Sequence, residues 1–560
     1  MFTIIVLILG AAAIVIGYGL YARTIDKNII QPDPSKATPA KMYMDGVDFT
    51  PASRNVLFGY QFKSIAALGP IGGPIVAAQW GWLPALLWIL LGTFFIGWVQ
   101  DYASAVVAMR EEGKTFGALS YQLITPRARS ILLIFIYLYL LLIMGAFGFV
   151  IGTVFLSKPS VPIGILSVIL MGLLAGQMTY KWKQDIILTS IITVVVSFVG
   201  IWVGTLPAVQ GIFESLNAAL GGGTKYFWPI VFAIICYLGA VLPIWRWAQP
   251  TNYVSFWIVA LGMLAGVIGV LVWHPTITNF PAFTGFAVAG LGPLWPIMFV
   301  TIACGAISGW HSLVSSSGTA RQLEKETDAL PVGGGAMFME MVLALIALLT
   351  ATSALGSFDA YKEAFAKGKF GVFAVGLAEF MSHIGVPKSF GVPYGMVFLT
   401  IMGLTICYLV VRFMRVASAE FLGDSVPIMK NIHVGTIVAL ILSLIVIWTG
   451  VWQTIWVLFG GANQMMASLA LMIITLWLLN QGKKSAWAFW PFVFMYITTI
   501  ASLLYKGIYA FQQAAVGAKV VGNIIAGVIA MILIICALIL GWDGWQAIQR
   551  ARAGRAAEAQ

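Results

Sequence analysis

The strongest constraint in this sequence is a set of long apolar runs, among them residues 131–155, 186–203 and 524–540, none of which holds a charge. A helix needs about 20 apolar residues in a row to cross a bilayer. The runs are too long for strands and do not alternate as barrel strands do. Lipid offers no partner to a free backbone N–H or C=O, so the spans are helices. Composition decides whether such helices form a soluble core. Charged residues make up 9% of the 560 and hydrophobic ones 60%, against about 25% charged in soluble proteins. A soluble core of this size would need a charged shell that the chain cannot supply. The fold class is therefore an all-α polytopic membrane protein whose partner is the lipid bilayer.

Hydropathy places about 15 transmembrane helices, near residues 2–20, 57–78, 83–108, 130–156, 161–178, 185–205, 227–245, 254–273, 294–316, 333–355, 391–412, 433–450, 452–480, 487–505 and 520–546. Threading the chain from an external N-terminus puts about 22 of the 31 lysines and arginines on one set of connections. Arg110, Lys114, Arg127, Arg129, Lys181, Lys183, Lys483, Lys484 and the Arg-rich tail belong to that set. The positive-inside rule turns it, and the C-terminus, toward the cytoplasm. Residues 2–20 lack a basic leader and a small-residue cleavage site, which reads as a retained span. Residues 21–56 form a cytoplasmic loop and 356–390 an external one with a short helix near 372–383. Residues 550–560 read as a frayed, solvated tail. The net charge of +11 is spread over loops, which points to topology and not to nucleic acid. Cys236, Cys304, Cys407 and Cys536 lie inside apolar runs without a CxxC pair, and the four histidines are far apart. No metal or cofactor is expected from either set.

Three spans break the rules of a membrane helix. The first contains Gly69-Pro70-Ile71-Gly72-Gly73-Pro74, the second Gly239 to Pro243, and the third Gly305 to Ser312, with Ser308 and His311 inside it. Gly460-Gly461-Ala462-Asn463-Gln464 marks a fourth candidate. Glycine and proline at the centre of a span release backbone groups that must face protein, water or a ligand. Such breaks point to a transporter's binding site: half-helix N-termini suit carboxylates and unwound carbonyls suit cations. The bland alternative is a proline kink or a close glycine packing face. The Gly69 and Gly239 breaks are five spans apart and so run in opposite directions. That spacing fits a five-plus-five inverted repeat. The halves would be 57–205 and 227–412, preceded by 1–56 and followed by extra helices over 433–546 and a tail over 547–560.

Ionisable groups at membrane depth are costly and tend to mark pathways. Lys63 lies two turns before the first break. It is either a lysine snorkelling to the cytoplasmic interface, or a proton site or fixed cation. Asp101 and Glu340 each sit inside an apolar span. They read either as coupling groups or as satisfied structural pairs.

These residues resemble the carbon-starvation protein A (CstA) family. Phe58-Gly59, the Gly69–Pro74 cluster, Ala77-Ala78-Gln79 and Val99-Gln100-Asp101 carry the first part of the likeness. Ala240 to Trp245 with Pro250 and Tyr253 carry the second. Ala303 to Ala306, Ser308-Gly309, His311 and Ser316 to Thr319 carry the third, continued by Glu326 to Asp328, Gly335 to Met337 and Glu340. Asn463-Gln464-Met465 and Ala467 complete it. The resemblance implies a LeuT-like secondary transporter of the amino acid–polyamine–cation type in a bacterial or archaeal inner membrane, taking up peptides or pyruvate. This chain departs from better-known members at Tyr60-Gln61, where they carry paired histidines. It departs also at Lys63, where they carry a small residue, and at Tyr408, where they carry an aspartate.

Together these readings give an alternating-access importer of a small carboxylate, coupled to a proton or cation. Gly69, Pro70, Gly72, Gly73, Gly239, Pro243, Ser308, His311 and Ser312 would form the substrate site, with Lys63, Asp101 and Glu340 in coupling. A nutrient sensor without transport is the alternative, although the chain has no soluble output domain. Ser312, His311 and Asp101 are the residue types of a catalytic triad, but no GxSxG elbow is present, so an enzyme is not expected.

Overall fold

The computed structural model describes residues 3–449 and 452–558, with side chains over 3–449 and 458–553. Among these, twelve helices are long and apolar enough to cross a membrane. With the shorter apolar helix Ile432–Trp448 and two spans split into short pieces, the candidate crossings come to fifteen, against about 15 from hydropathy. The site is built by α1 (Arg54–Ile65), α2 (Gly69–Ala77), α3 (Trp98–Arg110), α4 (Pro126–Phe149), α5 (Thr224–Val241), α6 (Ala248–Trp273), α7 (Gly309–Ser317), α8 (Gly335–Thr352), α9 (Lys388–Leu422) and α10 (Trp452–Asn480). Burial separates centre from rim: Leu458–Asn480 of α10 and most of α9 are enclosed, whereas Ile186–Val203 turns most of its surface outward, as a lipid-facing helix must.

The connections fall into two sets, each tied by its own hydrogen bonds. On one face Ala52 N–H donates to the Gln322 carbonyl (3.0 Å) and Ile244 N–H to that of Val47 (3.1 Å). Arg110 pairs there with Glu326 (2.9 Å), and Lys483 donates to the Ile29 and Ile30 carbonyls. On the other face Thr3 donates to the Pro275 carbonyl (2.8 Å), Trp82 N–H to Pro281 (3.2 Å) and Phe358 N–H to Asn279 (3.0 Å). A hairpin of two-residue strands, Ala287 opposite Pro293, also lies on this second face.

The first discontinuous span leaves the helix at Ala66 (φ −71°, ψ 99°) and resumes at Gly69. The break therefore precedes the Gly69–Pro74 cluster, which is itself the short helix α2. Pro70 falls in its first turn, where a missing N–H breaks no intrahelical bond. The second runs through residues 294–301, unwinds from Ile302 (φ −90°, ψ 69°) to Ser308 (φ −146°, ψ 127°), and restarts as α7. These are the second and ninth crossings, so they run in opposite directions. They cross at their unwound parts. A Cβ on Gly69 would lie 2.4 Å from Cys304 Sγ, and one on Gly73 2.7 Å from the Thr301 carbonyl oxygen. Only residues without a side chain admit so close a backbone approach.

Elsewhere the structure corrects the sequence reading. Gly239–Pro243 is not a break at mid-membrane. It is the end of α5 and a turn into α6 on the face that holds Val47. Leu242 leaves the helix (ψ 152°), its carbonyl accepts from Arg412 (3.1 Å), and Pro243 has no N–H to continue the ladder. Gly460 and Gly461 do not interrupt α10. They bring it against the Val300 carbonyl and Leu503, the packing use of small residues. Residues 205–223 hold an additional helix, Pro207–Leu220. The 356–390 connection carries two helices, Phe358–Lys367 and Lys369–Ser382, rather than one. The last helix continues to Glu558 and is not frayed from 550; Ala559 and Gln560 lie outside the described residues.

Candidate functional site

At the crossing, α7 starts with Gly309 because a Cβ there would sit 2.2 Å from the Asn463 carbonyl oxygen. That contact seats α7 on α10 and makes Asn463 a hub. Its Oδ1 accepts from Ser308 Oγ (3.1 Å), Trp310 N–H (3.1 Å) and Tyr139 OH (2.5 Å). Gln464 donates to the Phe299 and Ile302 carbonyls, which the unwinding frees (3.0 and 3.3 Å). Orphaned groups of a broken membrane helix need such partners.

In the first turn of α7, His311 lies between two carboxylates. Its Nδ1 is 3.0 Å from Asp101 Oδ2 of α3, and its Nε2 is 3.2 Å from Glu340 Oε2 of α8. All three side chains are fully buried. The Glu340 approach lacks hydrogen-bond geometry, and neither Glu340 oxygen nor Asp101 Oδ1 has a hydrogen-bond donor among the described residues. Both acids thus face one imidazole, Asp101 through a hydrogen bond and Glu340 by close approach alone. Ser312 is not on that imidazole: its Oγ accepts from Gln100 Nε2 (2.5 Å), which also donates to the Ser308 carbonyl. The residue types of a catalytic triad come together without a triad's bonding.

Lys63 does not snorkel. It is fully buried on α1, and its Nζ donates to Thr405 Oγ1 (2.7 Å) and to the Ala66 carbonyl at the unwound end of α1 (3.4 Å). A cation beside freed carbonyls at a helix C-terminus is electrostatically matched. Tyr408 is a neighbour: it donates to Asn252 Oδ1, and Asn252 donates to Ser64 Oγ (2.7 Å). The Lys63 and Tyr408 departures from the family pattern thus lie around one place. From there a line of polar contacts runs to the face that holds Val47, through Gln61 to Ser315 (2.9 Å) and Thr319, and through Gln249 to Gln322 (2.6 Å).

On the opposite side of the crossing, a cavity of about 130 Å³ is lined by Gly69, Gly72 and Gly73 of α2, Thr301 at the end of the first half-span, Ala303 of the unwound strand, and Lys369 and Lys506. It adjoins the second face, since Gly290 and Leu291 also line it. Pro70 sits beside it, against Gly305. Ser308, His311 and Ser312 belong to the buried network instead. Gly239 and Pro243 do not line the cavity, and Gly239 packs on Tyr408. A larger groove of about 590 Å³ lies between α1, α6 and Ile186–Val203, where Ile187, Ile191 and Val195 face outward; it belongs to the lipid boundary.

Sequence reasoning did not place Asn463, Gln100, Lys369 or Lys506 in a site. Asn463 and Gln100 carried a usable signal, a polar amide at depth in an apolar span. Lys369 and Lys506 carried none, because both fall near span ends where lysine is ordinary.

The sequence matches the family described as carbon starvation protein CstA over residues 2–364 and 356–502. The peptide transporter CstA of Bacillus subtilis is 29% identical over 96% of this chain and 95% of its own length. In Escherichia coli, the pyruvate/proton symporter BtsT is 32% identical over 62% of this chain and 48% of its own length. The peptide transporter CstA of that organism is 32% identical over 60% and 48%. The chain thus spans about half the length of these two E. coli relatives. Among solved structures, MhsT in complex with L-phenylalanine has a TM-score of 0.49 at 14% identity, covering 87% of this chain and 99% of that one. The Eremococcus coleocola manganese transporter in complex with an aromatic bis-isothiourea compound has a TM-score of 0.42 at 14% identity, covering 90% and 99%. With the family match running from residue 2 to 502, the chain belongs to the CstA family of carbon starvation proteins.

Proposed function

We propose that this chain is a secondary active transporter that imports a small carboxylate, pyruvate or a short peptide, by alternating access with proton coupling. The observation that carries the reading is the meeting of two oppositely directed, discontinuous spans beside a small cavity. The N-terminus of α2 supplies partial positive charge at Gly69, which favours a carboxylate there. The names of the B. subtilis and E. coli relatives, a peptide transporter and a pyruvate/proton symporter, support the same substrate class.

The halves of the inverted repeat begin at the two broken spans in this reading. The first would run over 54–273, with the hairpin 162–203 as an insertion, and the second over 294–480. Packing supports the division by its reciprocity. The spans after each break pack across: α3 on α7, and α8 on α2. The third spans, α4 and α9, pack together; α5 lies on α9 and Ile432–Trp448 on α4; α6 returns to α1 and α10 to α7. This replaces the halves 57–205 and 227–412, which were anchored on a break that is a turn.

Substrate would contact Gly69, Gly72 and Gly73 with Thr301 and Ala303. Asp101, His311 and Glu340, with Lys63, would hold the coupling proton: they are the ionisable groups gathered at the crossing, and a proton added to either carboxylate changes what His311 and Lys63 must balance. The basic connections, including Arg110, Lys183 and Lys483, argue for that face and the C-terminus being cytoplasmic in a prokaryotic inner membrane. The cavity would then open outward. The test is uptake of labelled pyruvate and dipeptide into proteoliposomes with and without an imposed pH gradient. Gradient-driven uptake is expected for wild type and its loss for Lys63→Ala; binding without flux would favour the sensor reading.

A further inference from the structure

The lipid-facing surface carries a feature that transport of a solute does not use. Beside the groove of about 590 Å³ between α1, α6 and Ile186–Val203, a second of about 440 Å³ lies on the other side of α1, against the first span Thr3–Ile30 and the start of α8. Asn55 and Phe58 line both grooves, so the two meet along one edge of α1. Their walls are apolar, with Ile191 and Val195 in one and Phe338 and Val342 in the other, and no acidic residue lines either. Both lie toward the face that holds Val47, since α1 begins at Arg54, α8 at Gly335 and the remaining wall at Ile186. From Ile186 to Val195 a helix rises about 14 Å, and one leaflet of the hydrocarbon core is about 15 Å deep. Two arginines stand where the grooves meet that face. Arg54 lines the second groove with Tyr18, and the Arg23 guanidinium lies 5.8 Å from the centre of the Tyr18 ring. Both arginines are exposed. Among the described residues the arginine salt bridges are those of Arg110, Arg127 and Arg412. Of the nearby acids, Asp26 accepts from Tyr102 and Asp328 is also faced by Lys325, so the mouth keeps a positive excess.

We propose that this edge of α1 binds one anionic diacyl phospholipid of the adjoining leaflet, with its phosphate at Arg23 and Arg54, one acyl chain in each groove and Phe58 between the chains. Apolar walls at membrane depth are covered by a tail and not by a free anion. The arginines favour an anionic headgroup over a zwitterionic one, as basic pockets between spans on a cytoplasmic face do. The lipid is then a stabilising partner of α1. Beside Phe58, a Cβ on Gly59 would lie 2.9 Å from Tyr253 and 3.2 Å from Phe256, so α1 packs closely on α6 there. A lipid filling both flanks holds α1, which carries Lys63, in that contact. The inference concerns a partner other than the transported solute, and it uses the transport reading only to name the face cytoplasmic.

The experiment titrates the full chain in detergent micelles with dioleoyl phosphatidylglycerol, dioleoyl phosphatidylcholine or glycerol phosphate, and reads the unfolding temperature. Phosphatidylglycerol is expected to raise it, phosphatidylcholine to raise it much less, and glycerol phosphate to leave it unchanged. Arg23→Gln/Arg54→Gln is expected to move the phosphatidylglycerol midpoint to about tenfold higher lipid or more, because two cationic contacts are lost. Its phosphatidylcholine response is expected to stay, and Arg23→Lys/Arg54→Lys to restore most of the difference. If the glutamine pair does not fold, Ile191→Trp, at a residue 58% exposed, fills part of one groove and is expected to weaken the phosphatidylglycerol response. Native mass spectrometry is expected to find one phosphatidylglycerol retained per chain in wild type and none in the glutamine pair. Equal responses to the two lipids overturn the site, as does an unchanged midpoint in the folded glutamine pair or in Ile191→Trp. A response to glycerol phosphate alone would make it a free-anion site, and dimers formed through this edge would make it a contact between copies; either overturns the lipid assignment. Because no flux is measured, a wild type that moves neither pyruvate nor peptide but keeps this lipid response loses the transport reading and keeps the site.

Discussion

Replacing His311 with alanine tests whether one imidazole holds two buried carboxylates together. The contacts are 3.0 Å to Asp101 and 3.2 Å to Glu340, all at zero exposure. With an effective dielectric of about 20, a unit-charge pair at that separation attracts by about 5 kcal/mol. Desolvation opposes most of this, but removing the shared partner leaves two acids facing each other, and breaking a buried pair costs about 3–5 kcal/mol. The alanine also leaves a void, so a single variant mixes two effects. A cycle separates them: His311→Ala in wild type, and the same change in an Asp101→Asn/Glu340→Gln background, where the void is the same and the charges are gone. Equilibrium unfolding in mixed detergent micelles, followed by tryptophan fluorescence, reads both. The expected coupling is about 2–3 kcal/mol. Additivity within about 0.5 kcal/mol would show that the imidazole carries no electrostatic burden, and would remove the basis for treating the three residues as one unit. Proton-driven uptake is expected to stay lost in the triple variant even where stability returns, which separates coupling from folding.

Gly73→Ala is expected to reduce uptake severely while the protein still inserts. Its Cβ would meet the Thr301 carbonyl oxygen at 2.7 Å and Ile302 Cα at 3.1 Å, an overpacking cost of about 1–3 kcal/mol; Gly371→Ala, with open space around it, is the neutral control. Asn463→Leu strands three buried donors, from Ser308, Trp310 and Tyr139. It is expected to cost about 1–3 kcal/mol for each donor that water cannot reach, and wild-type stability in micelles would refute the hub. On the basic face, burial pushes the Asp48 carboxyl up, and the adjoining Arg412 guanidinium outweighs this, with Arg321 and Arg415 behind it, so the group sits below its usual range. A depressed carboxyl stabilises the fold above its unfolded pKa and loses that contribution as pH falls through the folded value. Asp48→Asn is therefore expected to destabilise by about 1–3 kcal/mol at neutral pH, with the gap narrowing below about pH 4. A pH-independent difference would show that the Asp48–Arg412 pair is not the cause.

The sequence by itself determined the solvent, the element type and the approximate number of crossings. Each follows from local composition: lipid leaves a run such as 186–203 no alternative to helix, and the count follows from the runs. It also marked Gly305–Ser312 as a break, from Gly305 and the hydroxyl-rich stretch after it; the structure unwinds Ile302 to Ser308 and has residues 309–312 already in α7. Local pattern could not tell which irregular stretch lies at mid-membrane. Gly69–Pro74 and Gly239–Pro243 look alike as strings, yet one is a short helix after a break and the other a turn at a face. The difference lies in what surrounds them. Gly73 meets the backbone of Thr301, over two hundred residues away in the chain, whereas Pro243 lies in a turn where the Leu242 carbonyl accepts from Arg412 and the Ile244 amide donates to the Val47 carbonyl. The pairing of Asp101 and Glu340 through His311, and of Lys506 with Lys369 around one cavity, was decided in the same way. Charges in a low-dielectric interior act on whatever the packing brings within a few ångströms, and only the tertiary structure sets which groups those are.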